Sequence, residues 1–213
     1  MATAMIMMER GLKADARKHE EAGFSLLEVM LSMVILMVGL VSLLGVFGLA
    51  MASTQTTQQD MIAKQLANEA YESIVTARNT SQISWDAIQN TSGTQYCTST
   101  PSPCGIFVGI STSPQFQPIY NSGADGIFGT ADDSNAGEET LEEPGPDGNY
   151  GDADDVKIPL TGYQRAIQIS PVYDANNNMI TSLRSVTITM QYSTSTTRQA
   201  KTYIVNSFIS QYQ

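Results

Sequence analysis

The chain has 213 residues, 11 basic and 21 acidic side chains, and a formal net charge of −10 at neutral pH. That length suits one modest domain plus a long helix, and so acidic a chain excludes nucleic acid as a general partner, because phosphate binding needs a basic surface. The one histidine is His19, close to the start, so the remainder offers no imidazole base and no histidine-ligated zinc site.

Residues 1–23 form a polar, charge-rich leader. Its four basic residues (Arg10, Lys13, Arg17, Lys18) are matched by four acids, so the whole charge of −10 belongs to the chain after Gly23. From Val29 to Gln59 there is no charged residue at all. About 20 apolar residues span a bilayer, so this is a membrane-helix candidate. It begins too late and runs too long for an ordinary secretory signal, whose apolar region is roughly 7–15 residues. Glu28 stands just inside its start, where a charge is expensive in lipid and therefore a functional candidate. The plain alternative is an acid near a helix end reaching toward the headgroups.

The segment Gly23-Phe24-Ser25-Leu26-Leu27-Glu28, joined to this apolar run, resembles the class III signal peptide of type IV prepilins. The resemblance implies that prepilin peptidase cuts between Gly23 and Phe24 and that the new amine of Phe24 is methylated. It implies that Glu28 pairs with the terminal amine of a neighbouring subunit, setting axial register. A buried carboxylate needs such a partner. Other pilin subunits and an inner-membrane assembly platform are the partners to expect, with the membrane itself before assembly. The expected location is the bacterial inner membrane, single-pass with the head outside the cytoplasm, then an extracellular pilus or a periplasmic pseudopilus. One departure is that Glu20, Glu21 and Ala22 stand where prepilins often carry Lys or Arg, so positive-inside character is weak.

The helix should continue past the apolar run. Met61, Ile62, Leu66, Ala70, Ile74 and Val75 recur at three- and four-residue steps, an amphipathic stripe. The division expected is a membrane or filament-core helix over 24–52, an amphipathic helix over 53–80 and a globular head over 81–213. Residues 83–120 are rich in Ser, Thr and Pro and read as loop, with short strands around Ile106 to Ile110. Within them Cys97 and Cys104 bracket Thr-Ser-Thr-Pro-Ser-Pro. In an exported chain the default is a disulfide closing this short loop. Two reactive thiols are the alternative, without the Cys-x-x-Cys spacing or a histidine that would activate them.

An internal repeat follows. Gly123 to Asp133 (GADGIFGTADD) returns 22 residues later as Gly145 to Asp155 (GPDGNYGDADD), with seven of eleven positions identical. Between Asn121 and Asp155 lie eleven acids and no Lys or Arg up to position 155. Such a block repels itself unless solvated or neutralised. Ca²⁺ takes six to eight oxygens from carboxylates and carbonyls, and glycines let a backbone turn tightly enough to present them. The spacing is not that of an EF-hand. It is similar to the Asp-Gly-x-x-Gly-x-x-Asp-Asp calcium loop of the major pseudopilins of type II secretion. That resemblance implies a calcium site of Asp125, Asp132 and Asp133, with Asp147, Asp154 and Asp155 forming a second or completing the first. A solvated acidic loop is the alternative. Glu138, Glu139, Glu142 and Glu143 read as solvated surface.

The last third reads as strands. Residues 163–172, 184–192 and 199–209 alternate, with Arg165, Ile167 and Ile169 of one parity and Val186, Ile188, Met190 and Tyr192 of another run. Asn176 to Asn178 is a turn signal. The fold class expected is α+β: a long N-terminal helix packed on a C-terminal antiparallel meander, with a long acidic loop over 121–155. The start Phe24-Ser-Leu-Leu-Glu-Val-Met30, the segment Ala67-Asn-Glu-Ala-Tyr-Glu-Ser-Ile74 and the final strands with no disulfide-bonded C-terminal loop resemble a minor pilin of the pilus-modification group. The function expected is therefore structural and not enzymatic: a minor pilin serving assembly, adhesion or motility. The alternatives are a type II secretion pseudopilin and a membrane-anchored calcium-binding adhesive module.

Overall fold

A computed structural model describes residues 25–93, 97, 104–193 and 200–212. Gly23 and Phe24, with the rest of the leader, lie outside the described residues, as does most of the Ser193–Thr197 loop. The chain divides into two compact units at Gly48/Leu49. The architecture is α+β, a long helix and a C-terminal antiparallel sheet.

Helix α1 spans Leu26–Asn79, with Glu28 in its first turn and Arg78 in its last. Acid at the start and base at the end both suit the helix dipole. The helix contains no proline. Serine and threonine side chains in it turn back onto backbone carbonyls, as Ser42 does to Val38 at 2.8 Å, so their hydroxyls need no water. Its apolar stretch has a mean hydropathy of 2.7 with none of that stretch buried. By length and composition it can cross a membrane.

In the second unit, the later turns of α1 bury Ala63, Leu66, Ala67, Ala70, Ile74 and Ala77. Leu66, Ala70 and Ile74 of the expected stripe are in this seam, whereas Met61 is 64 % exposed, and Ile62 and Val75 are only partly covered. Around Leu66 and Ile74, the remaining seam positions are alanine. A residue with no side chain beyond Cβ lets a helix lie close to a sheet and loses no rotamer freedom on burial.

The sheet against that seam has the order β1 (Gln117–Pro118), β4 (Tyr163–Tyr173), β5 (Met179–Ser193), β6 (Ala200–Ser210), all antiparallel. The inward row of Ile167, Ile169, Val186, Ile188, Met190 and Ile209 meets α1, together with Ile88, Phe107, Ile119 and Leu160 from the connections. Asn178 and Asn176 amides close the β4–β5 turn on Asp174 at 2.8 and 2.9 Å, and Asn177 adopts φ 63°, a conformation Asn tolerates. The expected strands near 106–110 are only isolated bridges, Asn90 with Phe107 and Ile110 with Ser113. Cys97 and Cys104 are joined, with their Cα atoms 5.7 Å apart.

The segment read as one long acidic loop is more ordered. It contains a short helix, α2 (Asp133–Ala136), and an antiparallel hairpin of β2 (Thr140–Glu143) and β3 (Val156–Pro159). Lys157 pairs with Glu142 across the hairpin at 3.0 Å. With two strands of four residues each, one ending in Pro159, the pattern is too short to stand out in sequence.

Candidate functional site

The two copies of the acidic repeat fold the same way. In the first, the amides of Gly123 and Gly129 donate to the Asp133 carboxylate at 3.0 and 2.6 Å, and Ile127 N–H donates to Asp125 at 2.8 Å. In the second, Gly145 and Gly151 donate to Asp155 at 3.2 and 2.5 Å, and Asn149 donates to Asp147 at 2.9 Å. The repeated glycines have distinct duties. Gly126 and Gly148 (φ 69° and 75°), and Gly129 and Gly151 (φ 90° and 91°), take conformations that a side chain disfavours. A Cβ at Gly123 would strike the Asp132 carboxylate, and one at Gly145 would strike that of Asp154. Thus most of the seven shared positions are needed to fold one and the same loop.

Their settings differ. The first copy is built into the core through Ile127 (1 % exposed) and Phe128 (8 % exposed). Its Phe128 amide reaches Ser73 of α1 at 3.3 Å, Gln82 donates to the Asp125 carbonyl, and Gly129 accepts from Val108. The second copy has Asn149 and Tyr150 at those positions and forms the exposed turn of the β2–β3 hairpin; Tyr150 is 69 % exposed.

Carboxylate oxygens of Asp125, Asp132 and Asp133 lie within 4.8 Å of one another, as do those of Asp147, Asp152 and Asp154. The first group is the set anticipated from sequence. The second brings in Asp152, while Asp155 is occupied by the amides of Gly145, Gly151 and Asp152. Asp152 takes the place of Thr130, whose hydroxyl donates to Asp132 at 2.6 Å and holds that carboxyl below its usual range. A carboxylate there instead shares a hydrogen bond with Asp154, which raises the Asp152 pKa. Burial raises that of Asp133, against the pull of the Gly129 and Gly123 amides. In both groups the donors are hard oxygens alone, the set that Ca²⁺ takes.

Two further groups lie near the first copy. Arg165 is 4 % exposed, its guanidinium 4.7 Å from the Phe128 ring centre. Its inward position was visible as its parity with Ile167 and Ile169, but nothing in sequence placed it beside the acidic loop. Glu139, expected on the surface, is half-buried beside Glu69 of α1, with Oε2 lacking a hydrogen-bond partner. Burial first, then the Glu69 charge, push its pKa up to about 7. A raised carboxyl pKa means that the folded state holds the proton more tightly than the unfolded state. Stability therefore falls as pH rises from about 4.5 to about 7. Glu139→Gln should flatten that part of the profile and stabilise the protein at pH 8 by about 1 kcal/mol, after discounting for solvent screening. Melting curves from pH 5 to 8 would check this; an unchanged slope would contradict it.

Residues 18–44 match the family model described as the prokaryotic N-terminal methylation motif. Comparisons with curated proteins and with solved structures gave no match. The motif supports a type IV pilin-like subunit of a pilus or pseudopilus, a structural protein. It implies processing by prepilin peptidase and assembly with other pilins, and with the apolar part of α1 it is consistent with membrane anchoring before assembly.

Proposed function

We propose that this chain is a minor subunit of a type IV pilus. It is made as a prepilin, held in the bacterial inner membrane by residues 24–52 with its head outside the cytoplasm, and taken into an extracellular filament that serves adhesion or motility. The observation that carries this reading is the methylation motif over residues 18–44 running directly into the uncharged, exposed part of α1, with Glu28 in the first turn. A surface this apolar has two stable surroundings, lipid or the packed helices of neighbours. The start Phe24 to Met30 and the α1 segment Ala67 to Ile74, which resemble those of the pilus-modification group, favour a minor subunit.

Calcium is the proposed ligand of the acidic copies, at Asp125, Asp132 and Asp133 and, in the second, around Asp147, Asp154 and Asp155 with Asp152. The chemistry of the donor sets fits it. The same loop motif favours the second reading, a pseudopilin of type II secretion. A membrane-anchored calcium-binding adhesive module that never enters a filament is the third.

Mass spectrometry of sheared surface fibres tests the first reading. The expected N-terminal peptide begins with N-methyl-Phe24, and Gly23→Ala should abolish its appearance and leave full-length precursor in the membrane. An intact leader on assembled protein would refute the processing. Absence from fibres together with normal cleavage would favour the pseudopilin or the free module.

A further inference from the structure

Behind the first acidic copy lies a cavity of about 230 Å³ with an apolar wall of Val108, Pro118 and Ile167. Arg165 lines it. The residue is held from both sides, opposite Gln117 of β1 and Met190 of β5, and the guanidinium rests on Phe128. Its Nη1 is buried without a hydrogen-bond partner. The ion pairs among the described residues are Lys157–Glu142 and Lys201–Asp60, and neither involves it. Glu139, Asp133 and Glu69 act on Arg165 only through space. Asp133 also lines the cavity, with its oxygens receiving the Gly123 and Gly129 amides and the Thr130 hydroxyl and making no ion pair with Arg165.

A buried guanidinium nitrogen with no hydrogen-bond partner is unfavourable unless an acceptor reaches it, and the Phe128 ring face supplies no acceptor oxygen. A guanidinium offers a planar fork of donors that matches a carboxylate. A concave space with an apolar wall and a few polar groups among its lining, here Thr130, Ser134 and Arg165, is the usual shape of a small-ligand site. We propose that this cavity binds a small carboxylate, its oxygens on Arg165 and its hydrocarbon tail against Val108, Pro118 and Ile167. The chain's net charge of −10 works against anions in general, so binding must come from this one local cation. The three acids nearby favour a singly charged group over a phosphate dianion.

The test uses the full chain in detergent, titrated with sodium propionate against sodium chloride at matched ionic strength. Propionate should shift the Arg165 Nε–H resonance saturably. It should raise the melting midpoint by on the order of 3 °C once about tenfold above its dissociation constant, and inorganic phosphate should do so less. Arg165→Met should lose the response. Because Arg165→Met also alters a buried side chain packed on Phe128, Ala131→Leu serves as the second: Ala131 is exposed at the cavity wall, so filling it leaves Arg165 in place and should still abolish both signals. No saturable change in the wild type, an equal response to chloride, or a full response in Ala131→Leu would each overturn the proposal.

Discussion

Glu28→Ala should leave the protein in the membrane and cut its recovery from sheared fibres at least tenfold. Glu28 sits in the first turn of α1, next to a stretch with no other charge until Asp60. Removing it lowers the cost of lipid burial, so insertion should be equal or better. Assembly is different. On the proposed reading the carboxylate meets the methylated amine of a neighbouring Phe24, and deleting one member of a buried pair strands the other at a cost of about 3–5 kcal/mol. A factor of ten needs only about 1.4 kcal/mol, so the loss should be plain even if part of the cost is relieved. Quantitative blots of membrane and fibre fractions give the answer. Normal incorporation would remove the register role while leaving the anchor intact.

Calcium should raise the melting midpoint of the full chain in detergent by about 2–4 °C per kcal/mol of linkage. Its affinity should be modest, on the order of 10⁻⁴–10⁻³ M, as in extracellular modules. Asp132→Ala should remove most of the shift, because the first copy is continuous with the core through Ile127 and Phe128. Asp154→Ala should remove little of it, since the second copy ends an exposed hairpin whose ordering need not be coupled to the rest. The double variant should abolish the response, and changes at Glu142 and Glu143 should not. Equal midpoints in calcium and chelator would leave the repeat as a solvated acidic loop.

Much of this was legible because it is periodic or local. The uncharged run, the β5 alternation of Val186, Ile188, Met190 and Tyr192, and the Asn turn at 176–178 each announce themselves within a few residues. The acidic repeat could be read even to the positions of its glycines. What was hidden depends on distant partners. Leu66, Ala70 and Ile74 of the expected α1 stripe are in the seam, but alanine carries no strong hydropathy signal, so Ala63, Ala67 and Ala77 stay hidden in the sequence while the exposed Met61 stands out. Glu139 looked like one more surface acid in an acidic segment, and only the placement of α1 brings Glu69 against it. The β2–β3 hairpin is too short to show alternation, and its pairing is set by the loop it carries.

The duplicated loop also gives the molecule an internal clock comparison. Gly129 and Gly151 make the same hydrogen bond, amide to aspartate at 2.6 and 2.5 Å, in one sealed and one open setting. Exchange of a protected amide waits for the cheapest opening that exposes it. For Gly151 that opening is a breath of the hairpin tip. For Gly129, whose neighbours Ile127 and Phe128 are in the core, it approaches unfolding of the whole head. Two copies of one motif thus differ in lifetime rather than in form, and the time axis, not the geometry, separates the part that holds the head together from the part free to respond at its surface.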